Sequence, residues 1–407
     1  RLSDNLFGLQ AQDYDPGKTL VIDPWVSYFG GTGRDDALGV ATDAAGSAIF
    51  VGTTESPNSI ATSGSFQSTY TGGSIGFIAK FSVSGTLLWS TYYNTLFNAV
   101  TTGLNGDIYA GGLTWGATNI STSGSHQSMS GGFVDGVLVK FNSAGVRLWG
   151  TFYGGTGADI IYSVRTDVIG NVYACGTTDS PNNIATPGAP KTTFTGIQNA
   201  FLAKFDASGV RQWGTYYGDA YDYAFGVATD NSGNAYVTGW TGSSNGISTP
   251  GAHQETIGLQ EEAFLAKFSS SGILSWGTYY GGIGLDESWA VATDNFDNVL
   301  ITGVTTSDTG IATPGSFQST TGGYDIFVAK FNNAGQRLWG TYHGPGYYNW
   351  GYGIATDNAN DIYIAGLSMS PSGISTAGTY QTTYGGGDAE GDAVVLKFTA
   401  SGAKVWG

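Results

Sequence analysis

Acidic residues recur at one position of this 407-residue sequence and are its first candidates for chemistry. Each stands eight residues before a second, turn-like Asp; the members are Asp35, Asp159, Asp222 and Asp286, with Asn349 in the matching place. A ring of carboxylates could hold a cation, and one of them could serve as a catalytic acid. Alternatively, each side chain accepts hydrogen bonds from backbone amides or pairs with a recurring lysine. We favour this structural interpretation and predict no catalytic or metal-binding residue.

Aromatic side chains flank two members of this set, where they could bind a ligand. Tyr221 and Tyr223 lie on either side of one, and Tyr348 and Trp350 on either side of another. Exposed rings beside polar groups suit sugars, because aromatic faces stack on C–H groups while an acid or amide binds hydroxyls. The alternative is that the rings only fill the loops. The candidate ligand-binding residues are Asp35, Asp159, Tyr221, Asp222, Tyr223, Asp286, Tyr348, Asn349 and Trp350.

The other reactive side chains do not point to a defined catalytic site. The three histidines, His126, His253 and His343, do not combine into a zinc cluster or a nucleophilic triad from their spacing. Cys175 is the single cysteine, which we expect to be a buried small hydrophobe. The acidic stretch 385–392 fits a solvated turn better than a cation site. We therefore expect no cofactor, with a structural cation such as calcium left open.

Composition and charge exclude several classes of partner. The net charge is −16 and only 15 residues are Lys or Arg, which opposes binding to nucleic acid or to an anionic membrane surface. No apolar run approaches the roughly 18–20 residues needed to cross a bilayer. Aromatic residues make up 14% of the chain and charged residues 11%, so the chain is packed rather than disordered.

The elements that must position these residues follow from a repeat. A segment of the type WGTYYGG recurs at intervals of 60 to 67 residues. Its copies begin at Trp25, Trp89, Trp149, Trp213, Trp276 and Trp339, and a clipped copy ends the chain at Trp406. A period of this size is typical of an array of one supersecondary unit.

Each repeat contains four runs with strand character, which we name a, b, c and d. In the fourth repeat they are residues 225–230, 234–239, 263–268 and 274–280, rich in β-branched and aromatic residues and bounded by Gly and Asn. Tight turns opened by Asp or Gly join a to b, and hairpins join c to d. About two dozen residues join b to c, and their recurring Ile, Thr and Gly favour a self-packed loop.

Four antiparallel strands repeated about six times predict an all-β fold, a β-propeller of four-stranded blades. Strand alternation places the d-to-a and b-to-c loops on one face, with the d-to-a loops nearest the central channel. Burial of each recurring tryptophan against the next blade should contribute roughly 2–3 kcal/mol. We expect the repeated residues to be structural, whereas residues that change from blade to blade are candidates for function.

The pattern VATD, YVTG, FLAKF and WGTYYGG resembles the bacterial SBBP-type β-propeller repeat of secreted and surface proteins. The resemblance spans residues 18–407, after a lead-in at residues 1–17, and we interpret 18–407 as one propeller domain. Six complete sets of a, b and c favour six blades, with seven as the alternative suggested by the family name. We expect the strand at Trp25 to close the ring as the outer strand of the last blade, in competition with Trp406.

The resemblance implies an exported protein, extracellular or on a bacterial cell surface, and no established catalytic residue. We therefore predict a non-catalytic recognition or scaffold module that binds a protein or surface partner through the d-to-a and b-to-c loops. Nucleic acid and membrane insertion are not expected. The first alternative is a glycan-binding module that uses the tyrosines and Trp350. The second is a polysaccharide-active enzyme that draws its acids from the ring of Asp35.

Overall fold

The computed structural model describes residues 27–386 and 391–407, and nearly all of its regular structure is β-strand. A single 3-10 turn, Leu104–Gly106, is the one helical element within these ranges. No helix in them has the length and apolarity to cross a membrane. The predicted all-β fold is confirmed.

The first three repeats form blades 1 to 3, each with strands a to d in chain order. Blade 1 contains β1 (Asp35–Thr42), β2 (Ala48–Thr54), β3 (Ile75–Phe81) and β4 (Leu87–Tyr93). Blade 2 contains β5 (Leu96–Thr102), β6 (Ile108–Thr114), β7 (Asp135–Phe141) and β8 (Arg147–Tyr153). Blade 3 contains β9 (Asp159–Thr166), β10 (Val172–Thr178), β11 (Asn199–Phe205) and β12 (Arg211–Tyr217).

Blades 4 to 6 repeat this order. Blade 4 contains β13 (Asp222–Thr229), β14 (Ala235–Thr241), β15 (Glu262–Phe268) and β16 (Leu274–Tyr280). Blade 5 contains β17 (Asp286–Thr293), β18 (Val299–Thr305), β19 (Gly323–Phe331) and β20 (Arg337–His343). Blade 6 contains β21 (Tyr347–Thr356), β22 (Ile362–Ser368), β23 (Asp392–Phe398) and β24 (Lys404–Trp406).

Within each blade the four strands pair antiparallel in the order a, b, c, d. The a strands of successive blades adjoin one another from β1 to β21, which makes them the inner strands of the array. The predicted β-propeller architecture of four-stranded blades is therefore confirmed. A short parallel pairing between β19 and β21, Gly323 with Tyr347 and Tyr324 with Tyr348, links blades 5 and 6 at their edge.

The core lies between neighbouring blades, because the sheets inside the array are covered on both faces. The c strands β3, β7, β11 and β15 are buried along their whole length. Cys175 is fully buried in β10, as predicted, and packs with blade 4 residues such as Ala224. The recurring isoleucine of every b-to-c loop is also buried, so these loops are self-packed; the six are Ile60, Ile120, Ile184, Ile247, Ile311 and Ile374.

A repeated polar contact holds the outer halves of the blades together. In blade 2 the c-strand Lys140 and the d-strand Trp149 both donate to the carbonyl oxygen of Ala207 in the c-to-d turn of blade 3, each at 3.1 Å. Lys140 also pairs with Asp107 at 2.7 Å in the a-to-b turn of its own blade. The recurring lysines therefore pair with turn acids, and the alternative that they pair with the Asp35 set is wrong.

The two ends of the array differ from its interior. β24 pairs with β23, so Trp406 occupies the outer position of blade 6, and Trp25 lies outside the described residues. Four residues after Trp25, Phe29 packs into the fold. Its ring centroid lies 5.2 Å from that of Phe77 and 5.7 Å from that of Phe81, both on β3. Within the described ranges, β21 and β1 make no contact comparable to those between successive a strands.

Candidate functional site

The recurring acids begin the a strands, and each of them accepts hydrogen bonds from groups of its own blade. Asp159, which is fully buried, accepts hydrogen bonds from Thr178, from Ser180 at 2.7 Å and from the amide of Gly155 at 2.9 Å. The equivalents have the same kind of partners: Asp35 with Thr54 and Ser56, Asp222 with Thr241 and Ser243, Asp286 with Ser307, and Asn349 with Ser368 and Ser370. These contacts tie the d-to-a bend to the b strand.

At two blade interfaces, the first residue of a c strand lies near the recurring acid of the following blade. Burial raises the pKa of Asp159 to about 6, and the charge of Asp135 in blade 2 adds to the shift. Burial likewise raises the pKa of Glu262 in blade 4 to about 7, with Asp286 of blade 5 as a further cause. These two corners are acid–acid pairs, whose charged forms repel each other.

At the other two interfaces of this kind along the array, an amide takes the place of one acid. Between blades 3 and 4, Asn199 Nδ2 lies 3.5 Å from Asp222 Oδ2. Between blades 5 and 6, Asn349 Nδ2 lies 3.4 Å from Asp325 Oδ1 and also donates to the carbonyl oxygen of Gly346 at 2.8 Å. The corners of the inner face are therefore not chemically equivalent, although their geometry repeats.

Eight aromatic side chains of blades 4 to 6, most of them on the inner a strands, form a continuous surface that we call the inner aromatic strip. Tyr223 stacks on Trp240 with ring centroids 4.4 Å apart, and Phe225 stacks on Trp289 at the same distance. The successive contacts run through Tyr221, Trp240, Tyr223, Phe225, Trp289, Tyr352, Trp350 and Tyr348.

The strip is partly open to solvent. Tyr221, Tyr348 and Tyr352 are 40%, 45% and 43% exposed, and the other five rings are half-buried. Four strip residues, Tyr221, Tyr223, Tyr348 and Trp350, belong to the ligand-binding residues predicted from sequence, and the structure brings them into one surface. The role of these residues in binding stays a prediction.

Four strip residues escaped the sequence analysis. Phe225, Trp289 and Tyr352 lie three residues after the recurring acid or amide, on the same side of strand a, so the two-residue period of a strand could have found them. Trp240 lies on strand b and reaches the strip because it is the cross-strand partner of Tyr223.

The same positions differ in blades 1 and 2. At the place of Phe225, Trp289 and Tyr352 stand Leu38 in blade 1 and Asn98 in blade 2. Blade 3 has Tyr162 there, whose ring lies 4.8 Å from that of Phe225 and extends the strip by one side chain. The aromatic surface is thus confined to one side of the inner face.

Two carboxylates border the strip. Burial raises the pKa of Glu287 on β17, and the charge of Glu261 in the preceding blade adds to the shift. Burial also raises the pKa of Tyr352, and the charge of Glu287 adds to the shift. No Lys or Arg in the described ranges forms an ion pair with either glutamate.

The histidines considered for catalysis, and the arginines of the outer strands, lie in packed positions away from this surface. His126 packs against Tyr153 and Phe205, and burial, helped by Arg211, lowers its pKa to about 4. Burial lowers the pKa of His343 to about 3, with Lys404 as a further cause. The arginines of the outer strands bind loop carbonyl oxygens, as Arg211 does with Asn183 at 2.7 Å.

Comparisons with known proteins agree with the repeat type. Residues 212–247 match the model of the SBBP family, a beta-propeller repeat. An uncharacterized WD repeat-containing protein of Acanthamoeba polyphaga mimivirus is 23% identical over 81% of this chain, and the match covers 29% of that protein.

Several solved propellers resemble the fold at low similarity. The WD40 beta propeller domain of Doa1 matches with a TM-score of 0.44 and 8% identity over 82% of this chain and 77% of its own. A polysaccharide lyase of family PL25, an ulvan lyase, matches with a TM-score of 0.47 and 10% identity over 94% of this chain and 86% of its own. A gluconolactonase from Xanthomonas campestris has a TM-score of 0.38 and 14% identity over 83% of this chain and 84% of its own. With TM-scores below 0.5, these likenesses decide nothing about chemistry.

Proposed function

We propose that this protein is a non-catalytic recognition module that binds a protein or surface partner at the inner aromatic strip. The observation that carries the proposal is the confinement of eight contacting rings to blades 4 to 6, where three tyrosines remain 40–45% exposed. The repeated scaffold does not require rings at these positions, because Leu38 and Asn98 occupy the matching places in blades 1 and 2. Large, rigid aromatic side chains are the residues that most often anchor a binding surface.

The buried polar groups support binding rather than catalysis. The recurring acids accept hydrogen bonds from Ser, Thr and amide groups of their own blade, as in Asp159, and among them Oδ1 of Asp286 is the buried oxygen without a partner in the described residues. The histidines have lowered pKa values and aromatic neighbours, as in His126. A polysaccharide-active enzyme that draws its acids from this set would first have to break the contacts that hold the d-to-a bends. An exported, extracellular setting is part of the proposal and rests on the family resemblance.

A glycan is the second candidate ligand, and one observation favours it. The indole N–H of Trp350 is buried and has no acceptor among the described residues. A sugar hydroxyl stacked near the ring could accept this hydrogen bond, while the carboxylate of Glu287 could accept one from another hydroxyl. A protein partner could supply a backbone carbonyl oxygen as the acceptor instead, so the unpaired N–H of Trp350 is compatible with either a glycan or a protein ligand.

The test compares two substitutions at matching positions of strand a. The parent protein, Trp289→Ala and Asn98→Ala are applied to glycan arrays and to arrays of acidic, basic and neutral peptides, and each hit is titrated by tryptophan fluorescence. We expect the ligand to lose at least about tenfold in affinity with Trp289→Ala, because a central aromatic anchor is removed. Asn98→Ala should bind as the parent does. A ligand that binds both variants equally well would place recognition elsewhere and contradict the proposal.

A further inference from the structure

The bend between blades 1 and 2 is shorter than other bends that lead into an a strand. Residues 94–95 join β4 to β5, whereas residues 154–158 join β8 to β9 and residues 281–285 join β16 to β17. Thr95 occupies the position of the recurring acid, which is Asp159 in blade 3. The short bend therefore brings no carboxylate to this interface.

The partners of the missing acid are replaced as well. Ile75 begins strand c of blade 1, where blades 2 and 4 have Asp135 and Glu262. Gly116 takes the place of the serine that binds the recurring acid or amide in the other blades. The five serines are Ser56, Ser180, Ser243, Ser307 and Ser370. Neither side of the corner between blades 1 and 2 thus carries a carboxylate or its serine partner.

The absence of both acids makes room for a side chain in the bend. A Cβ on Gly154, the first residue of the bend into blade 3, would lie 2.4 Å from Oδ1 of Asp135 and 2.4 Å from Oδ2 of Asp159. Between blades 1 and 2 the matching residue is Asn94. Its Oδ1 accepts hydrogen bonds at 2.8 Å from two side chains of the b-to-c loop of blade 1. Its Nδ2 group has no acceptor among the described residues and can donate to a ligand.

Trp115 is a further departure from the repeat at this corner. It follows strand b of blade 2, in the place of Asp179 in blade 3, which accepts a hydrogen bond from the amide of Ala158 in the longer bend. The Trp115 side chain is 55% exposed. An indole ring exposed to this degree offers a flat surface on which a ligand can stack.

Two adjoining cavities open at this corner, and together we call them the blade 1–2 groove. The larger, of about 390 Å³, is lined among others by the replaced residues Ile75, Thr95, Trp115 and Gly116. The smaller, of about 310 Å³, lies between the b-to-c loops of the two blades. Three residues line both cavities: Thr71, Asn94 and Thr118. Sites for small ligands have volumes of roughly 300–1,000 Å³, so the groove has the size of a ligand site.

The lining of the groove is polar but uncharged. Among the described residues that line it, none is Asp, Glu, Lys or Arg, and the hydrophilic ones are Ser, Thr, Asn and Gln. The guanidinium of Arg147 lies over the ring of Phe66 and donates to the carbonyl oxygens of Asn119 and Ile120, so it is already engaged. Hydroxyl and amide groups beside an open aromatic ring suit the hydroxyl groups and C–H faces of a sugar. An anionic sugar would find no free cationic partner here.

We propose that the blade 1–2 groove is a binding site for an uncharged oligosaccharide. One sugar ring stacks on Trp115, and Nδ2 of Asn94 donates to one of its hydroxyl groups. A second ring extends between the b-to-c loops, past Thr71 and Thr118. The site is separate from the inner aromatic strip of blades 4 to 6 and does not depend on whether the strip binds a ligand.

The site is tested with an array of charged and uncharged glycans, and each hit is titrated by calorimetry with the 407-residue protein and three variants. Trp115→Ala removes the stacking surface and should lower the affinity about tenfold or more. Phe133→Ala is the matched control, because Phe133 is 80% exposed in the same b-to-c loop and does not line the groove. Trp289→Ala reports on the inner aromatic strip. Neither Phe133→Ala nor Trp289→Ala should change the affinity.

Four results would overturn the proposal. They are the absence of any bound glycan, binding of anionic glycans alone, an equal loss of affinity with Phe133→Ala, and binding of peptides instead of glycans that depends on Trp115. A glycan that is lost with Trp289→Ala and retained with Trp115→Ala would belong to the inner aromatic strip. That result would contradict the site in the groove and leave the proposed function standing.

A second measurement separates contact with the ligand from a structural role. In protein labelled with 5-fluorotryptophan, the fluorine resonance that disappears in Trp115→Phe belongs to Trp115. We expect the bound glycan to shift this resonance and to leave that of Trp289 in place. Asn94→Ala should lower the affinity about five- to tenfold, because one hydrogen bond to the sugar is lost. An unmoved Trp115 resonance, or full affinity in Asn94→Ala, would contradict the assigned contacts.

Discussion

The outer half of each blade repeats the same contacts, whereas the inner half changes from blade to blade. In the outer half, Lys330 and Trp339 of blade 5 make the same contacts as Lys140 and Trp149 of blade 2. In the inner half, the position that is Leu38 in blade 1 is occupied by an aromatic residue in each of blades 3 to 6. The residues that make the repeated contact between blades are the same in each blade. Positions that take no part in this contact can vary, and their side chains are available for recognition.

The largest expected effect is on stability and comes from the outer half. Lys330→Met removes the partner of Asp294, which is 2.8 Å away and has a fully buried side chain. An uncompensated buried charge should cost about 3–5 kcal/mol of unfolding free energy. Urea unfolding at pH 7 measures this loss. Lys397→Met, which removes a partly exposed ion pair, is the control. A loss for Lys330→Met no larger than that of the control would contradict the structural role assigned to the buried pair of Lys330 and Asp294.

This loss should depend on pH in a defined direction. Burial opposes ionisation of Asp294, but Lys330 and Asn298 outweigh it and hold the pKa of this acid below its usual value. A depressed pKa in the folded state contributes stability above the unfolded pKa of about 4, and this contribution is lost as the pH falls through the folded value. The difference between the parent and Lys330→Met should therefore shrink in acid.

A smaller effect, of opposite sign, is expected at the inner corners. Glu262 has a pKa of about 7 in the folded state, raised by burial and by Asp286. A raised carboxyl pKa means that the folded protein loses stability as the pH rises from about 4.3 to about 7. Glu262→Gln removes that loss, so we expect it to stabilise the protein by about 1–3 kcal/mol at pH 8 and to have little effect near pH 4. Equal effects at both pH values would argue against a strained acid pair.

The reverse exchange at an amide–acid corner should weaken the protein. Asn349→Asp places a carboxylate beside Asp325 and removes the donor that binds the carbonyl oxygen of Gly346. Loss of that hydrogen bond with the added repulsion should cost about 1–2 kcal/mol at pH 8, and less in acid, where one carboxyl is protonated. Urea unfolding at both pH values checks this, with Asn98→Asp as the matched control, because it also removes a donor to a backbone carbonyl oxygen, that of Ile161 at 2.8 Å. A larger cost for the control would contradict the assignment.

The sequence predicted the repeated half of the molecule much better than the variable half. The tryptophan period fixed the strands and the blade order, because a residue that recurs in every unit must have the same neighbours in every unit. Of the two kinds of partner that the spacing left open for the recurring acids, backbone amides or the recurring lysines, the structure excludes the lysines. The partner of Lys140 is Asp107, which is set by the fold of the a-to-b turn.

The contacts of the variable half depend on which residues the strand pairing and the blade packing bring together, and the linear sequence pattern does not contain this information. Trp240 joins the strip because the ladder places it opposite Tyr223, and the acid pair of Glu262 and Asp286 forms because a c strand begins beside the next a strand. The first of these contacts lies across a hairpin and the second across a blade interface. Neither follows from the spacing of residues within one repeat.

The smallest expected effect on stability, and the most informative about the ligand, is at Trp350. Its buried indole N–H has no acceptor among the described residues, so Trp350→Phe removes an unsatisfied donor and keeps most of the ring contact with Tyr352. We expect the free energy of unfolding to change by no more than about 0.5 kcal/mol.

If the ligand accepts this hydrogen bond, its affinity should fall about five- to tenfold, which corresponds to the roughly 1 kcal/mol of one such bond. Titration of the array hits with both proteins decides this: unchanged affinity would mean that the strip acts by stacking alone, and a large loss of stability would mean that the indole N–H has a partner inside the protein.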